Sequence, residues 1–350
     1  MDCGTPPIPM DVRTATQTLL SVRNLKTYFP QDEGTVKAVD GVTFDLYPGA
    51  TLGIVGESGC GKSVTARSIL RIVDRPGRIV DGEIHFRRPA TDGGASGQVV
   101  DLTKLAPNGP EMRAIRGAEI ALIFQEPMSS FSPVHSVGNQ IIEAILLHQQ
   151  VSRRDARDKT IEMLQRVGVS SPEARVDQLA SQLSGGLRQR AMIAMALSCH
   201  PTLLIADEPT TALDVTTQTQ ILELMRQLQR EDGMAIMLIT HDLGVVAEMA
   251  TDVAVMYLGR VVEQAPVDAI FHAPQHPYTR ALLRSIPRMR ARSRARLTPI
   301  VGAVPHPYDR PSGCPFHPRC ADFMAGTCDR RAPSLRPVGD QHTVSCFLYE

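Results

Sequence analysis

One run of eight residues limits the possible folds of this chain more than any other feature. It reads Gly56-Glu57-Ser58-Gly59-Cys60-Gly61-Lys62-Ser63. The apolar run of residues 51–55 before it is typical of a buried strand, and a helical stretch follows from residue 61. Glycines let the backbone curl until successive N–H groups point at one anion, and the start of a helix adds positive potential. The run fits G-x-x-x-x-G-K-S, so the sequence predicts a loop that binds the phosphates of a nucleotide.

Chemistry gives different tasks to different residues of this phosphate-binding loop, the P-loop (residues 56–63). Lys62 is expected to hold the β- and γ-phosphates, and the Ser63 hydroxyl is expected to ligate Mg²⁺. Cys60 is interpreted as a small residue that fills space inside the loop. The nucleotide-binding residues predicted in this segment are Gly56, Glu57, Ser58, Gly59, Cys60, Gly61, Lys62, Ser63 and Val64.

A second apolar strand ends in two acids. The run Leu203-Leu-Ile-Ala-Asp207-Glu208 places both carboxylates at the end of a buried strand, where each needs a charge partner. With a P-loop in the same chain, Asp207 is expected to orient Mg²⁺ and its waters. Glu208 is expected to polarise the attacking water as the catalytic base. A pair of acids that only terminates a strand is the alternative interpretation.

Another helix start suited to phosphate precedes that strand. Ser184 is a good N-cap, and Gly185 and Gly186 leave N–H groups accessible where a helix begins. One nucleotide needs only one P-loop. The simplest interpretation is that Ser184, Gly185 and Gly186 bind a nucleotide held by another subunit, with ordinary helix capping as the alternative.

The P-loop, the serine–glycine helix start and the acidic strand, in this order, resemble the motifs of the ABC ATPase family. The resemblance spans about residues 19–270. It implies an α/β fold of the P-loop NTPase class, the ABC cassette, with a mixed sheet core, an antiparallel β subdomain and an α-helical subdomain. The helical subdomain is expected at about residues 126–190, and residues 1–18 are expected to form a flexible N-terminus. Periodicity agrees, because residues 19–46 alternate like strands and residues 137–169 show helical spacing.

The resemblance also implies tasks for residues outside these motifs. Gln125 matches the Q-loop and is implied to approach Mg²⁺ and the water as part of the catalytic set. His241 follows an apolar strand and matches the switch histidine that contacts the γ-phosphate. Asp214 matches the D-loop, which crosses a dimer interface. Tyr28 resembles the aromatic that stacks on adenine, with Phe29 as the competing candidate.

Composition argues against several classes of function. Lys and Arg together number 37, as do Asp and Glu, so the formal charge is zero and no nucleic-acid partner is expected. Trp is absent and aromatic residues make up 4%, which is few for a protein that stacks RNA bases. No apolar run reaches the roughly 18 residues that a membrane-spanning helix needs. The chain is therefore interpreted as a cytosolic protein.

The composition changes after about residue 285, and residues 271–350 are expected to form a C-terminal extension. An arginine-rich stretch at residues 288–296 is interpreted as a solvated linker. The strings Gln275-His-Pro-Tyr and Gly313-Cys-Pro-Phe-His-Pro-Arg-Cys320 are similar to the C-terminal extension of oligopeptide and dipeptide importer ATPases. Four cysteines are expected to form a cluster there: Cys314, Cys320, Cys328 and Cys346. Their wide spacing lacks the close pairs of zinc ribbons and suits a [4Fe–4S] cluster, with Zn²⁺ and unmetallated thiols as alternatives.

Together these features predict an ATP-hydrolysing subunit that powers peptide import. Two cassettes would close head to tail on ATP. The resemblance implies as partners a second, related ABC ATPase subunit, two transmembrane permeases and an extracytoplasmic peptide-binding protein. It also implies a peripheral location at the cytoplasmic face of the inner membrane. The alternatives are the ATPase of a nickel or other small-solute importer, a non-transport ABC ATPase, and a chain that acts mainly as an iron–sulfur module.

Overall fold

A computed structural model describes this chain in five segments. They are residues 17–89, 97–125, 130–211, 213–285 and 300–350. The arginine-rich linker and residues 1–16 of the predicted flexible N-terminus lie outside the described residues, as do residues 126–129 of the predicted helical subdomain.

The strands and helices of the described residues follow the apolar runs of the sequence. The strands are β1 (Leu20–Gln31), β2 (Gly34–Leu46), β3 (Thr51–Val55), β4 (Arg78–Arg87), β5 (Val99–Asp101), β6 (Ile120–Ile123), β7 (Leu203–Asp207), β8 (Ala235–Ile239), β9 (Asp252–Tyr257), β10 (Arg260–Pro266), β11 (Arg336–Gly339) and β12 (His342–Val344). The α-helices are α1 (Lys62–Ile69), α2 (Pro110–Ile115), α3 (Val137–His148), α4 (Arg153–Arg166), α5 (Pro172–Arg175), α6 (Gly185–Leu197), α7 (Val215–Asp232), α8 (Leu243–Met249), α9 (Val267–His272) and α10 (Pro277–Arg284). None of these helices is both long and apolar enough to cross a membrane, a finding that covers only the described residues.

Strand β3 lies inside the larger sheet and leads directly into the P-loop. Among the described residues this sheet has the order β11-β12-β10-β9-β3-β8-β7-β6. The strands from β9 to β6 pair in parallel, and β3, β7 and β8 are buried along their whole length. Parallel strands are covered on both faces, and their carboxyl ends meet at one edge of the sheet. The residues that follow β3, β7 and β8 therefore come together at that edge.

A second sheet is antiparallel and lies beside the P-loop. Its order in the described residues is β2-β1-β4-β5, which confirms the antiparallel subdomain predicted from residues 19–46. The Asp40 N–H of β2 donates to the Gly259 carbonyl at 2.7 Å, in the turn between β9 and β10. This bond fixes β2 against the larger sheet.

Helices α3, α4 and α6 form the predicted helical region. Ser136 caps α3, and Ser152 with Asp155 forms a capping box at the start of α4. The apolar face of α3 is buried, with Ile141 and Ile145 at most 1% exposed. These side chains share one core with apolar residues of α4 and α6.

The C-terminal segment, residues 300–350, is built onto the larger sheet. Strand β12 pairs antiparallel with β10, which places Val344 opposite Glu263, and β11 pairs with β12. Phe316 packs against Tyr257 and Tyr278, with ring centroids 5.2 and 5.3 Å apart. The segment therefore shares both a sheet and an apolar core with the rest of the chain.

Candidate nucleotide site

The P-loop packs so closely against strands β2 and β9 that two of its positions have no room for a side chain. Gly56 has a φ of +152°, and a Cβ there would lie 2.2 Å from the Met256 oxygen. Gly61 has a φ of +101°, and its Cβ would lie 2.2 Å from the Ala38 oxygen. Gly59 has a φ of +78°, and nothing lies within 4 Å of its Cβ position. The loop is therefore tightly packed at Gly56 and Gly61, near its two ends, and open at its tip around Gly59.

Lys62 begins α1 and is buried inside this loop. Its Nζ donates to the carbonyl oxygens of Gly56 at 2.8 Å and Glu57 at 3.1 Å. A buried ammonium needs such acceptors, and an anionic phosphate oxygen is a stronger acceptor than a neutral carbonyl. Cys60 is 3% exposed, and its Sγ lies 3.8 Å from the same nitrogen, as expected of a residue that fills space. The other predicted residues here are the exposed Ser58 and the half-buried Val64.

Asp207 ends β7 beside Ser63. The Oδ1 atom of Asp207 is buried without a hydrogen-bond partner among the described residues. Burial raises the pKa of Asp207, the nearby Ser63 hydroxyl lowers it by a smaller amount, and the charge of Glu208 raises it further. A carboxylate oxygen and a hydroxyl are ligands that Mg²⁺ accepts beside phosphate oxygens, and a cation there would satisfy the unpartnered atom. These two residues therefore fit a magnesium ion.

Three side chains converge on Glu208. The Gln125 amide donates to Oε2 at 3.1 Å, and the Thr211 hydroxyl donates to the same oxygen at 2.9 Å. The His241 Nδ1 lies 3.2 Å from Oε1. The structure thus brings together the three predicted catalytic residues and adds Thr211, which the sequence motifs did not single out.

The backbone conformation of Glu208 is unusual, and the charge of its carboxylate suits a catalytic base. Its φ is +48°, a region that a residue with a side chain rarely adopts, and its N–H donates to the Ile239 oxygen at 2.8 Å. Burial would raise the pKa of this carboxyl, but hydrogen bonds from Thr211 and His241 outweigh burial and lower it. The carboxylate is therefore ionised at neutral pH and can accept a proton from water.

The residues predicted for a subunit interface lie at two exposed helix starts. Ser184 caps α6, where its hydroxyl accepts a backbone N–H at 3.4 Å. Ser184 and Gly185 are exposed, and Gly186 is half-buried. Asp214 is also exposed and caps α7, where it accepts a backbone N–H at 3.0 Å. Among the described residues, the hydrogen bonds of both caps stay within their own helices, and the exposed helix starts are accessible to another molecule.

Tyr28 lies in β1 and is tied to a charged group that sequence reasoning missed. Its hydroxyl donates to Asp40 at 2.6 Å, and Asp40 also accepts from Arg260 at 2.9 Å and pairs with Arg310 at 3.1 Å. Burial, followed by the influence of Asp40, raises the pKa of Tyr28 to about 12. The tyrosine is held neutral and in place. Arg260 and Arg310 come from distant parts of the chain, so no local sequence pattern predicts that they pair with Asp40.

Two residues beyond position 270 contact the P-loop and were also missed. The Arg319 guanidinium pairs with the Glu57 carboxylate at 2.7 Å, and the Tyr278 oxygen accepts the Glu57 N–H at 3.0 Å. Both belong to the strings that carry the C-terminal resemblance, but nothing in those strings pointed to the nucleotide site.

The four C-terminal cysteines are close neighbours but do not form a metal site. Cys314 and Cys328 are buried, Cys320 and Cys346 are half-buried, and all four are free thiols. Burial, with smaller effects from neighbouring thiols, raises the pKa of Cys314 and of Cys320 to about 11. Across the described residues, no three His, Cys, Asp or Glu side chains are arranged to hold a metal ion. The geometry therefore does not support the predicted [4Fe–4S] cluster or its zinc alternative.

Comparison with known proteins matches both parts of the chain to described families. Residues 39–211 match the ABC transporter family, and residues 262–328 match the C-terminal region of oligopeptide/dipeptide transporters. The dipeptide transport ATP-binding protein DppD of Bacillus subtilis is 49% identical over 333 residues, which cover 95% of each chain. DppD of Escherichia coli is 45% identical over 94% of this chain and 96% of its own length.

Solved structures with a similar fold include two ATP-binding cassettes. The dimeric cassette MJ0796 bound to ADP and Pi aligns with a TM-score of 0.60 at 24% identity, over 71% of this chain and 98% of its own. The cbiO1 protein from Clostridium perfringens, part of the ABC transporter complex cbiONQ, aligns with a TM-score of 0.58 at 25% identity, over 73% and 91%. These alignments confirm the predicted cassette fold.

Replacing Gly61 by alanine is expected to lower the free energy of unfolding by more than the about 1–2 kcal/mol that left-handed backbone alone costs. The additional loss arises because the new Cβ would meet the Ala38 oxygen. Gly233→Ala is the matched control, since Gly233 has a φ of +66° and nothing within 4 Å of its Cβ position. Urea unfolding of both variants measures the difference. Equal losses would contradict the tight packing of the P-loop.

Proposed function

This chain belongs to the ABC transporter family of ATP-binding proteins, and on that premise we propose that it hydrolyses ATP to power the import of peptides. The observation that carries the peptide assignment is the likeness, over nearly the whole chain, to proteins named for dipeptide transport. The match of residues 262–328 to the C-terminal region of oligopeptide/dipeptide transporters supports it independently of the cassette.

The substrate ATP binds with its phosphates in the P-loop. Lys62 is positioned to exchange its two carbonyl acceptors for β- and γ-phosphate oxygens. Backbone N–H groups at the open tip, around Gly59, add further donors. Adenine stacks on Tyr28, whose ring is fixed by Asp40. Ser63 and Asp207 would hold Mg²⁺, which would supply positive charge to neutralise the phosphates.

Hydrolysis uses the carboxylate of Glu208 as a general base. The lowered pKa of Glu208 keeps it ready to accept a proton from the attacking water. Gln125 and His241, each within hydrogen-bond distance of this carboxylate, position the water and contact the γ-phosphate. The arrangement needs no covalent intermediate, since positioning and charge supply most of the catalysis in phosphoryl transfer.

A second cassette completes the site. Ser184, Gly185 and Gly186 form an accessible helix start that suits the γ-phosphate of a nucleotide held by another subunit. Asp214 lies at the neighbouring interface. The partner is a second, related ABC ATPase subunit, and the assembly includes two transmembrane permeases and an extracytoplasmic peptide-binding protein. The chain lies peripherally at the cytoplasmic face of the inner membrane and has no nucleic-acid partner.

Glu208→Gln is expected to reduce steady-state ATP turnover by at least about 100-fold, because the amide cannot accept the proton from water. ATP should remain bound, since the P-loop is unchanged. Phosphate release and retained ATP, measured on the assembled transporter, test both statements. Glu248→Gln is the matched control, because Glu248 is exposed and its carboxylate pairs with Arg226, outside the P-loop. Normal turnover by Glu208→Gln would remove the assignment of the base.

Peptide import is tested by reconstituting the chain with its permeases, partner ATPase and binding protein in vesicles. We expect dipeptides or oligopeptides to stimulate ATP turnover and to accumulate inside. Nickel ions serve as the competing substrate in the same assay. Stimulation by nickel and by none of the peptides would contradict the peptide assignment and favour the small-solute alternative.

The [4Fe–4S] cluster stays a prediction that rests on the spacing of four cysteines and on their mutual nearness. Anaerobic purification tests it: a brown protein with iron and acid-labile sulfide, whose colour is lost in Cys328→Ser, would support the cluster against the described geometry. A colourless wild-type protein that contains neither iron nor sulfide would reject the cluster. Zinc in that protein would support the alternative instead.

A further inference from the structure

Glu57, the second residue of the P-loop, is held from two sides by residues that are more than 200 positions away. The Arg319 guanidinium makes two hydrogen bonds to the Glu57 carboxylate, at 2.7 and 3.0 Å. The Tyr278 oxygen accepts the Glu57 N–H at 3.0 Å. Both the side chain and the backbone of Glu57 are thus fixed by residues outside the cassette motifs.

Contacts other than the one with Glu57 also hold the Arg319 side chain in place. It is 4% exposed, and its Nε donates to the Val301 oxygen at 3.2 Å. Its guanidinium lies 5.8 Å from the Tyr257 ring centroid and donates to the Tyr257 hydroxyl at 3.3 Å. An exposed ion pair contributes little because two flexible side chains must be ordered and water screens their charges. Both costs are smaller for Arg319. Its guanidinium is buried from water, and Val301 and Tyr257 already hold the planar group in place.

Glu57 also contacts the ammonium group of Lys62. Its carbonyl oxygen accepts a hydrogen bond from Lys62 at 3.1 Å, next to the Gly56 carbonyl at 2.8 Å. A shift of the Glu57 backbone would therefore move one of the two acceptors that hold Lys62. A chain of direct contacts connects Arg319, Glu57 and Lys62.

We propose that Arg319 of the C-terminal segment is a positioning residue for ATP, which acts through Glu57 to hold the P-loop in the shape that binds phosphate. The inference rests on the proposed ATPase function and adds that this segment sets the affinity for the nucleotide. Arg319 touches no reacting atom. Its loss therefore weakens ATP binding more than it slows the chemical step.

The test compares ATP affinity and turnover in full-length variants of the assembled transporter. Arg319→Met is expected to raise both the Kd and the KM for ATP about tenfold, with kcat changed less than about twofold. Arg319→Lys keeps the positive charge but loses the planar group that makes two hydrogen bonds, so a smaller rise in the Kd and KM for ATP is expected. Because this change is milder, it separates an effect on ATP binding from a folding defect. The double variant Glu57→Gln/Arg319→Met should match Arg319→Met, because both changes break the same contact.

Arg336→Met is the matched control, because Arg336 forms an exposed ion pair with Glu350 in the same segment. It should leave the Kd, KM and kcat for ATP unchanged. A merely structural role for Arg319 predicts a lower melting temperature with wild-type ATP affinity at temperatures where the variant is folded. That result in both Arg319 variants, with an active wild type, would overturn the inference and leave the proposed function intact. A wild-type transporter that neither binds nor hydrolyses ATP would instead overturn the proposed function.

Discussion

The close approach of the P-loop backbone to strands β2 and β9 is the constraint on which the rest of the site depends. At Gly61 the neighbour is the Ala38 oxygen of the antiparallel sheet, and at Gly56 it is the Met256 oxygen of the larger sheet. The loop therefore fits only when both sheets are in place. The same contact brings β1 and β2, with Tyr28 and Asp40, beside the phosphate loop. Nucleotide binding and the docking of the two sheets are thus consequences of one packing arrangement.

The parallel strands decide which charges meet at the site. Lys62 follows β3, Glu208 follows β7 and His241 follows β8, so all three arrive at the same edge. Two charges at this edge, those of Lys62 and Asp207, are only partly satisfied by the protein itself. The ammonium rests on neutral carbonyls, and Asp207 keeps one buried oxygen without a partner in the described residues. Groups held this way are organised in advance for phosphate and a divalent cation.

The sequence was sufficient for those parts of the site that a short motif carries. The P-loop, the acids at the end of β7 and the cap at Ser184 each combine a local pattern with a local structure, so spacing alone predicts them. The ties between Arg319 and Glu57, and between Arg310 and Asp40, join residues more than 250 positions apart. No periodicity or motif encodes such a pair, because it depends on how the C-terminal segment packs on the larger sheet. The prediction of a metal cluster depended on spacing without geometry, and the described residues do not support it.

The central claim is that a triphosphate lies between the P-loop of one subunit and the helix start at Ser184 of another. A cryo-EM structure of the whole transporter, trapped with ATP, tests this most directly. The account predicts the Ser184 hydroxyl or the following N–H groups at about 3 Å from the γ-phosphate held by the opposite P-loop. A closed assembly in which Ser184 lies far from every triphosphate would contradict it.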